Sequence, residues 1–414
     1  MSGDITRSSR VICMPCSESA YTESIQNAAA FRAVVDATYH AMPELFPPGM
    51  ENGYLMKDVR HSVKLALATR RIEVNHVAYT IRPSFAMPYM TGRTAEVEKA
   101  LFLRRFSVPF WALEYVFGAN SMHWYRMEQQ LGRLSLVGTT VRDPALLPEN
   151  LAADEKHTRL LGEKVYVATT VAGECILGAS IAPNAGDVAL TRAYGQYKEE
   201  AADIKPDYAP VTVNTDGWAA TMNAWKANYA NIVTILCFLH VFIKLRDSGK
   251  KKFKEAFEAI ATKLWHAYEA TNKRSFSQRV RRLVEEASKR NTPDSMMQTL
   301  QRLQARLPQY SVAYDYEGAH RTSNMLDRLM QFMDRHFFAM RYFHGTFDAA
   351  ELSIRGWSLI YNFAPSCPAT RKKYNGLASP AERLNRFRYS DVWLENLLIS
   401  GSLQARYGPP PNPL

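Results

Sequence analysis

Few folds accommodate the order of elements written between Asn150 and Ile243. Asn150 to Thr158 reads as a strand, and Lys164 to Ile181 as two more strands joined at Ala172-Gly173-Glu174. Asp187 to Ala202 then carries helical spacing, and Pro210 to Thr215 is again strand-like. Residues 217 to 230 read as helix, and 231 to 245 as a buried strand or helix. Three strands, a helix, a strand and more helix call for an α/β domain in which helices cover a mixed sheet. The fourth strand ends in Val211-Thr212-Val213-Asn214-Thr215-Asp216-Gly217-Trp218. A carboxylate released there onto Gly-Trp can hold a divalent cation at a sheet edge.

The first 150 residues read as mainly helical. Residues 20 to 45 and 55 to 72 are expected as helices with a break at Pro47-Pro48-Gly49, and Ile72 to Tyr89 as mixed, with room for a strand. Thr94 to Phe117 has helical spacing with Glu96 and Glu98 in its first turn, interrupted at Pro109. After Gly118-Ala119-Asn120, Ser121 is placed to cap a helix through Leu131. A helix, a turn and a second helix bearing His123, Arg126 and Arg133 fit either a helix-turn-helix DNA reader or an ordinary helical hairpin. Pro144 to Pro148 marks a boundary before the sheet.

Charge is concentrated where the pattern becomes continuously helical. Lys244 to Arg306 holds 16 Lys and Arg against 7 Asp and Glu, which is +9 of the chain's formal +11. Lys250, Lys251 and Lys252, and Arg279, Arg281 and Arg282, are its densest points. Any one cluster is equally a solvated helix face, but together they favour a surface that tracks the backbone of double-stranded DNA. Five cysteines in 414 residues make no disulfide framework and point to a reducing compartment. Met1 to Arg7 lacks the apolar run of a secretory signal. The most apolar stretch, Asn231 to Ile243, falls short of the roughly 20 residues that span a bilayer. The expectation is a soluble cytoplasmic protein with no membrane partner. The tail Gly408-Pro409-Pro410-Pro411-Asn412-Pro413-Leu414 is low-complexity.

Phosphoryl transfer on DNA needs an activated hydroxyl and a stabilised leaving oxygen, which two divalent ions held by carboxylates provide. Mg²⁺ prefers hard oxygen ligands and keeps water ligands for substrate, so two or three acids suffice. Asp216 is the leading acid, although a lone strand-end Asp is more often a turn residue. Asp154 lies in the first strand of the proposed sheet. Because side chains alternate along a strand, only one of Asp154 and its neighbour Glu155 can face the ion. Further acids downstream are Asp327 in Thr322-Ser323-Asn324-Met325-Leu326-Asp327 and Glu317 in Tyr316-Glu317-Gly318-Ala319-His320. Ser323 or Asn324 can cap the helix that carries Asp327. Cys237-Phe238-Leu239-His240 supplies half a zinc site. Cys13-Met14-Pro15-Cys16 could supply a second half, but nothing in the sequence brings the two together, so zinc is not expected.

In this order the residues resemble the catalytic core of a cut-and-paste DNA transposase of the acidic-triad (DDE/D) class found in bacterial insertion sequences. Cys237-x-x-His240 matches the Cys-x-x-His signature of Mutator-like transposases. Thr322 to Asp327 is similar to their Thr-Thr-Asn-x-x-Glu pattern, with Asp where Glu is usual. His320 to Asn324, Phe343-His344-Gly345, Leu359 to Phe363, Asn385 to Tyr389 and Trp393 to Leu398 look like the closing helices of such enzymes.

The resemblance covers about residues 150 to 402. It implies a ribonuclease-H-like mixed sheet interrupted by an all-helical insertion and preceded by a mainly helical region. The corresponding segments are 1–85, the helix-turn-helix-like 86–148, core 149–245, insertion 246–310, closing helices 311–365 and extension 366–414. It further implies that Asp154, Asp216 and Asp327, with Glu317 as the alternative third acid, bind two Mg²⁺ ions, or Mn²⁺ in their place. Trp218, Cys237, His240, Arg321 and Asn324 are then active-site neighbours. The implied partners are terminal inverted repeats and target DNA, met by a homodimer or higher oligomer in the nucleoid of a prokaryotic cell. A transposase turned sequence-specific DNA-binding protein, and a different metal nuclease on the same sheet, are the competing readings.

Overall fold

A computed structural model describes residues 10–63, 65–249 and 251–407; Lys250, the Pro-rich tail and Met1 to Arg7 lie outside the described residues. The chain begins with β1 (Val11–Met14), α1 (Glu18–Ser24), α2 (Ala28–Ala41), β2 (Leu55–Ser62), β3 (Leu67–Val74) and β4 (Val77–Pro83). These four strands form a mixed sheet in the order β1-β4-β3-β2, with β1 parallel to β4 and the other pairs antiparallel.

Residues 55 to 72 are therefore strands and not the expected helix. The alternation was masked because one inward position is charged. Arg70 is buried and donates to the carbonyl oxygens of Ile25 (2.8 Å) and Gln26 (3.2 Å), just past the end of α1. A buried guanidinium is tolerated only when so paired, and a sequence pattern cannot register partners that far away.

Four helices follow, α3 (Thr94–Arg104), α4 (Phe110–Phe117), α5 (Ser121–Leu131) and α6 (Leu136–Thr140). The cap of α5 is Asn120, whose side chain accepts from the His123 N–H at 2.8 Å; Ser121 instead bonds Glu114. The inner face of α5 buries Trp124, Met127, Glu128 and Leu131.

The second sheet has the order β7-β6-β5-β8-β9, from β5 (Asn150–Leu160), β6 (Glu163–Ala172), β7 (Cys175–Ala182), β8 (Thr212–Thr215) and β9 (Val233–Leu236). β5, β6 and β7 are antiparallel, whereas β8 and β9 run parallel to β5. Leu161 and Gly162, and Gly173 and Glu174, are two-residue loops with positive φ at both positions, the type I′ pattern whose twist matches the strands it joins. α7 (Asp187–Ile204) and α8 (Ala219–Asn228) complete this unit, and residues 231 to 245 divide into β9 and the start of α9 (Phe238–Gly249).

The basic stretch continues as α10 (Lys254–Tyr268), α11 (Lys273–Lys289), α12 (Asp294–Ala305) and α13 (Leu307–Ser311), around a separate core of Phe238, Leu245, Leu264, Val280 and Leu300. The chain returns through α14 (Asn324–Ala339) and α15 (Phe347–Phe363), and ends in α16 (Pro368–Lys373), α17 (Pro380–Asn385) and α18 (Trp393–Ser400).

Alternation along the strands divides the second sheet between two layers. Leu151, Ala153 and Val213 pack against α7 and α8 with Tyr194, Tyr197 and Trp225. Ala152, Val167, Val171 and Ile176 pack on the other face with Met333, Ile354 and Trp357 of α14 and α15, in a core that continues to the first sheet through Leu131, Leu101 and Ile72. Burying each large apolar side chain contributes about 1.5–3 kcal/mol.

α15 is enclosed on nearly every side and covers the edge of β7. Its Asn362 accepts from the Ile176 N–H and donates to the Ile176 carbonyl, both at 2.8 Å, and Glu351 accepts from the Ile181 N–H at 2.7 Å. An edge whose polar groups are so used offers no template for a further strand. α5 and α15 approach so closely that a Cβ on Gly356 would lie 2.1 Å from the Glu128 carbonyl oxygen. No helix among the described residues is long and apolar enough to cross a membrane.

Candidate metal centre

The last β5–β8 pair is Ala152 with Asn214, so Asp154 and Asp216 each emerge two residues beyond it on adjacent parallel strands. At this point β5 has an antiparallel neighbour on one side and a parallel one on the other, and the crevice beyond parallel strand ends is where open α/β sheets take ligands. Asp154 shares the face of Ala152 and looks toward α14. Glu155 faces the opposite layer, where it accepts from Tyr194 Oη (2.7 Å) and Thr221 Oγ1 (2.8 Å).

Gly217 turns the chain out of β8 at φ +90°, and a Cβ there would sit 2.7 Å from Leu236 Cδ2 and 3.2 Å from an Arg306 guanidinium nitrogen. The turn is closed by Asp216 Oδ1, which accepts the Trp218 N–H at 2.7 Å.

The third carboxylate, Asp327, arrives from far downstream, beyond the helical insertion. The segment before α14 crosses the ends of β8 and β9: Asn214 Nδ2 donates to the His320 carbonyl (2.9 Å), and the Phe238 N–H to the Arg321 carbonyl (3.0 Å). Cys237 Sγ accepts the Ser323 N–H at 3.2 Å, holding the residue that precedes the helix. Ser323 Oγ then donates to Asp327 Oδ2 at 2.9 Å. As a result, ligand atoms of Asp154, His240 and Asp327 all lie within 4.8 Å of one another, the only such cluster of three or more among the described residues. Asp216 stands outside this set.

Burial pushes the Asp154 carboxyl up to about 6, reinforced by the Asp216 charge and opposed by the Glu155 N–H that it accepts. Burial likewise raises Glu155 to about 7 against the Tyr194 and Thr221 bonds. His240 is raised to about 9, first by the adjacent Cys237 sulfur and also by Asp154 and Asp327, while burial acts in the other direction. Its Nδ1 is enclosed and has no hydrogen-bond partner. Carboxylates held close enough to repel, beside an orphaned ring nitrogen, are the electrostatic signature of a cation-binding site. The donor set fits a divalent ion.

Glu317 is exposed and belongs to the other end of β5, where its carbonyl accepts from Asn150 Nδ2 at 3.0 Å. Asn150 is four residues before Asp154, about 13 Å along a strand, so the geometry assembles Asp327 and not Glu317. Asn324 is exposed at the start of α14. The Arg321 guanidinium turns away, donating to Tyr268 O (2.9 Å) and Tyr314 Oη (2.6 Å). Trp218 is partly exposed beside Tyr166, at 6.1 Å between ring centroids, on the Glu155 face.

Of the two proposed DNA-reading arginines, Arg126 is exposed, but Arg133 is 1% exposed with its guanidinium 5.1 Å from the Tyr89 ring centroid. Arg133 is therefore a packing residue and not a DNA contact. Its neighbours, the Tyr89 ring and the backbone N–H groups of Arg406 and Tyr407 that its carbonyl accepts, are distant in sequence, so no local pattern marks it as buried. Lys251, Lys252, Arg281 and Arg282 are exposed, whereas Arg279 donates to the His266 carbonyl at 2.6 Å and ties α11 to α10. Sequence reasoning missed Arg306, whose guanidinium lies against Gly217, and it placed His240 near the site without making it a donor. The Cys-x-x-His spacing was the one available signal for the latter. No protein-family model matches the chain, and no curated protein matches it.

Proposed function

We propose that this protein is a metal-dependent DNA transposase that cleaves element ends and joins them to target DNA. The observation that carries the reading is the convergence of Asp154 with Asp327 and His240, two residues beyond the point where β5 and β8 part and next to Asp216. The strand order β7-β6-β5-β8-β9, with three antiparallel and two parallel members, supports a ribonuclease-H-like core. A helical unit with its own core, inserted between the second and third acids, supports the transposase type.

A divalent cation at such a site activates the attacking hydroxyl and stabilises the leaving oxygen. The chain's own groups would do the remaining work. The Glu155 N–H and the Ser323 hydroxyl fix the orientations of Asp154 and Asp327. Arg306, beside Gly217, is placed to meet a phosphate entering past Asp216. The exposed Lys251, Lys252, Arg281 and Arg282 supply the sequence-independent attraction that positions duplex DNA. Bringing two element ends together would take at least two protomers.

The test uses purified protein, terminal-repeat duplexes and Mg²⁺ or Mn²⁺. Wild-type protein nicks the ends and transfers the strand, while Asp216→Asn binds the ends and leaves them intact. Cleavage by the Asn variant would remove Asp216 from the chemistry. End binding by wild-type protein without cleavage would instead mark a DNA-binding protein derived from a transposase.

A further inference from the structure

The donor set at the candidate centre departs from the all-oxygen environment that Mg²⁺ prefers. Mg²⁺ demands near-ideal octahedral oxygen coordination and dehydrates reluctantly. Imidazole suits transition ions, and Mn²⁺ accepts carboxylate oxygen readily. Here one imidazole faces two carboxylates, all with ligand atoms within 4.8 Å of one another. Two donors on one ion lie at most about 4.2 Å apart, so closure around an ion asks for adjustments of less than a rotamer change.

Three further observations make the arrangement a built site. Asp154 Oδ1 accepts the Glu155 N–H at 2.8 Å and Asp327 Oδ2 the Ser323 hydroxyl at 2.9 Å, so each carboxylate keeps one oxygen fixed from outside. Such second-layer bonds orient metal ligands. His240 is carried in the first turn of α9, directly after β9, and its enclosed Nδ1 has no partner within the protein. The helix that carries Asp327 is held at its start by Cys237 Sγ, which accepts the Ser323 N–H at 3.2 Å.

We propose that Asp154, Asp327 and an imidazole nitrogen of His240 together bind one divalent cation, and that this nitrogen gives the site a preference for Mn²⁺ over Mg²⁺. The inference rests on the metal-dependent reading above but not on the reaction being transposition. In it, His240 is a ligand rather than a neighbour, and Asp216 is left to a second, oxygen-only position shared with Asp154. Asp216 Oδ1 is engaged by the Trp218 N–H, in keeping with its place outside the cluster.

The experiment is metal binding by the full chain, stripped with EDTA and titrated with Mn²⁺ or Mg²⁺ by calorimetry, with pulsed electron paramagnetic resonance on the Mn²⁺ complex. Wild-type protein is expected to show ¹⁴N coupling from one imidazole and Mn²⁺ binding at least tenfold tighter than Mg²⁺. His240→Asn should lose the ¹⁴N coupling and bring the two affinities within about threefold. Asp327→Asn should weaken both ions at least tenfold. A wild-type Mn²⁺ complex without nitrogen coupling overturns the proposal, and so does coupling that survives in His240→Asn. Should that variant fail to fold, the wild-type spectrum decides alone. DNA cleavage measured on the same samples separates the two readings: nitrogen-coupled Mn²⁺ without cleavage refutes the nuclease and leaves the site, and cleavage without coupling does the reverse.

Discussion

Replacing Asp154 by Asn should stabilise the metal-free protein while destroying its metal site. The Asp154 carboxyl is raised from 3.8 to about 6, by burial first and by the Asp216 charge second. A shift of about 2 units corresponds to about 3 kcal/mol of strain in the folded state once the group is ionised. The sign follows from proton binding. Between the two values the folded state holds the proton more tightly than the unfolded chain, so stability falls as pH rises from about 4 through about 6. Asn is nearly isosteric, keeps an oxygen for the Glu155 N–H and carries no charge, so it removes the penalty.

At an unfolding entropy of about 2.1 cal/mol/K per residue, a chain of this length gains roughly 1 °C in Tm per kcal/mol. Calorimetry in EDTA at pH 7.5 should therefore place Asp154→Asn about 3 °C above wild type, with the difference vanishing near pH 4. Mn²⁺ at about 1,000 times its Kd should reverse the order, because it stabilises wild type by about 4.1 kcal/mol, more than the variant's advantage of about 3 kcal/mol, and the variant hardly at all. A variant that is no more stable at pH 7.5, or equally favoured at both pH values, would refute burial of a repelled carboxylate as the cause.

Other consequences follow from particular contacts. Gly356→Ala would drive a methyl group to 2.1 Å from the Glu128 carbonyl, prising α15 from α5; denaturant unfolding should show a loss of about 3 kcal/mol or more. Glu200→Gln leaves the Arg355 guanidinium, paired at 2.7 Å and 1% exposed, without its charge partner, and the same assay should register about 3–5 kcal/mol. Arg281→Ala with Arg282→Ala should weaken duplex binding uniformly across sequences and lower the slope of log affinity against log salt by about 1 to 2. An unchanged slope would remove α11 from the DNA path.

Much of the second sheet was legible because its signals are local. The β-branched runs, the Gly173-Glu174 turn and the alternation of Asp154 with Glu155 each depend on residues within a few positions. The helical character of Lys244 to Arg306 was likewise readable from apolar spacing. The first sheet was missed at residues 55 to 72, where Arg70 faces inward to carbonyls 45 residues away in sequence. Arg133 was misread for the same reason, since its guanidinium packs against the ring of Tyr89, far away in sequence.

By itself, the sequence determined the strand-helix order of the core, the basic helical stretch and the two acids carried by neighbouring strands. Only the tertiary structure brought Asp327, and not Glu317, close to Asp154 together with His240. Strand periodicity and turn chemistry are set by short-range sterics and backbone bonding, which neighbouring residues encode. The donor set is closed by Asn214, Cys237 and Ser323 drawing the segment before α14 over the ends of β8 and β9. These contacts join residues that the whole helical insertion separates in the chain, so no local pattern encodes them.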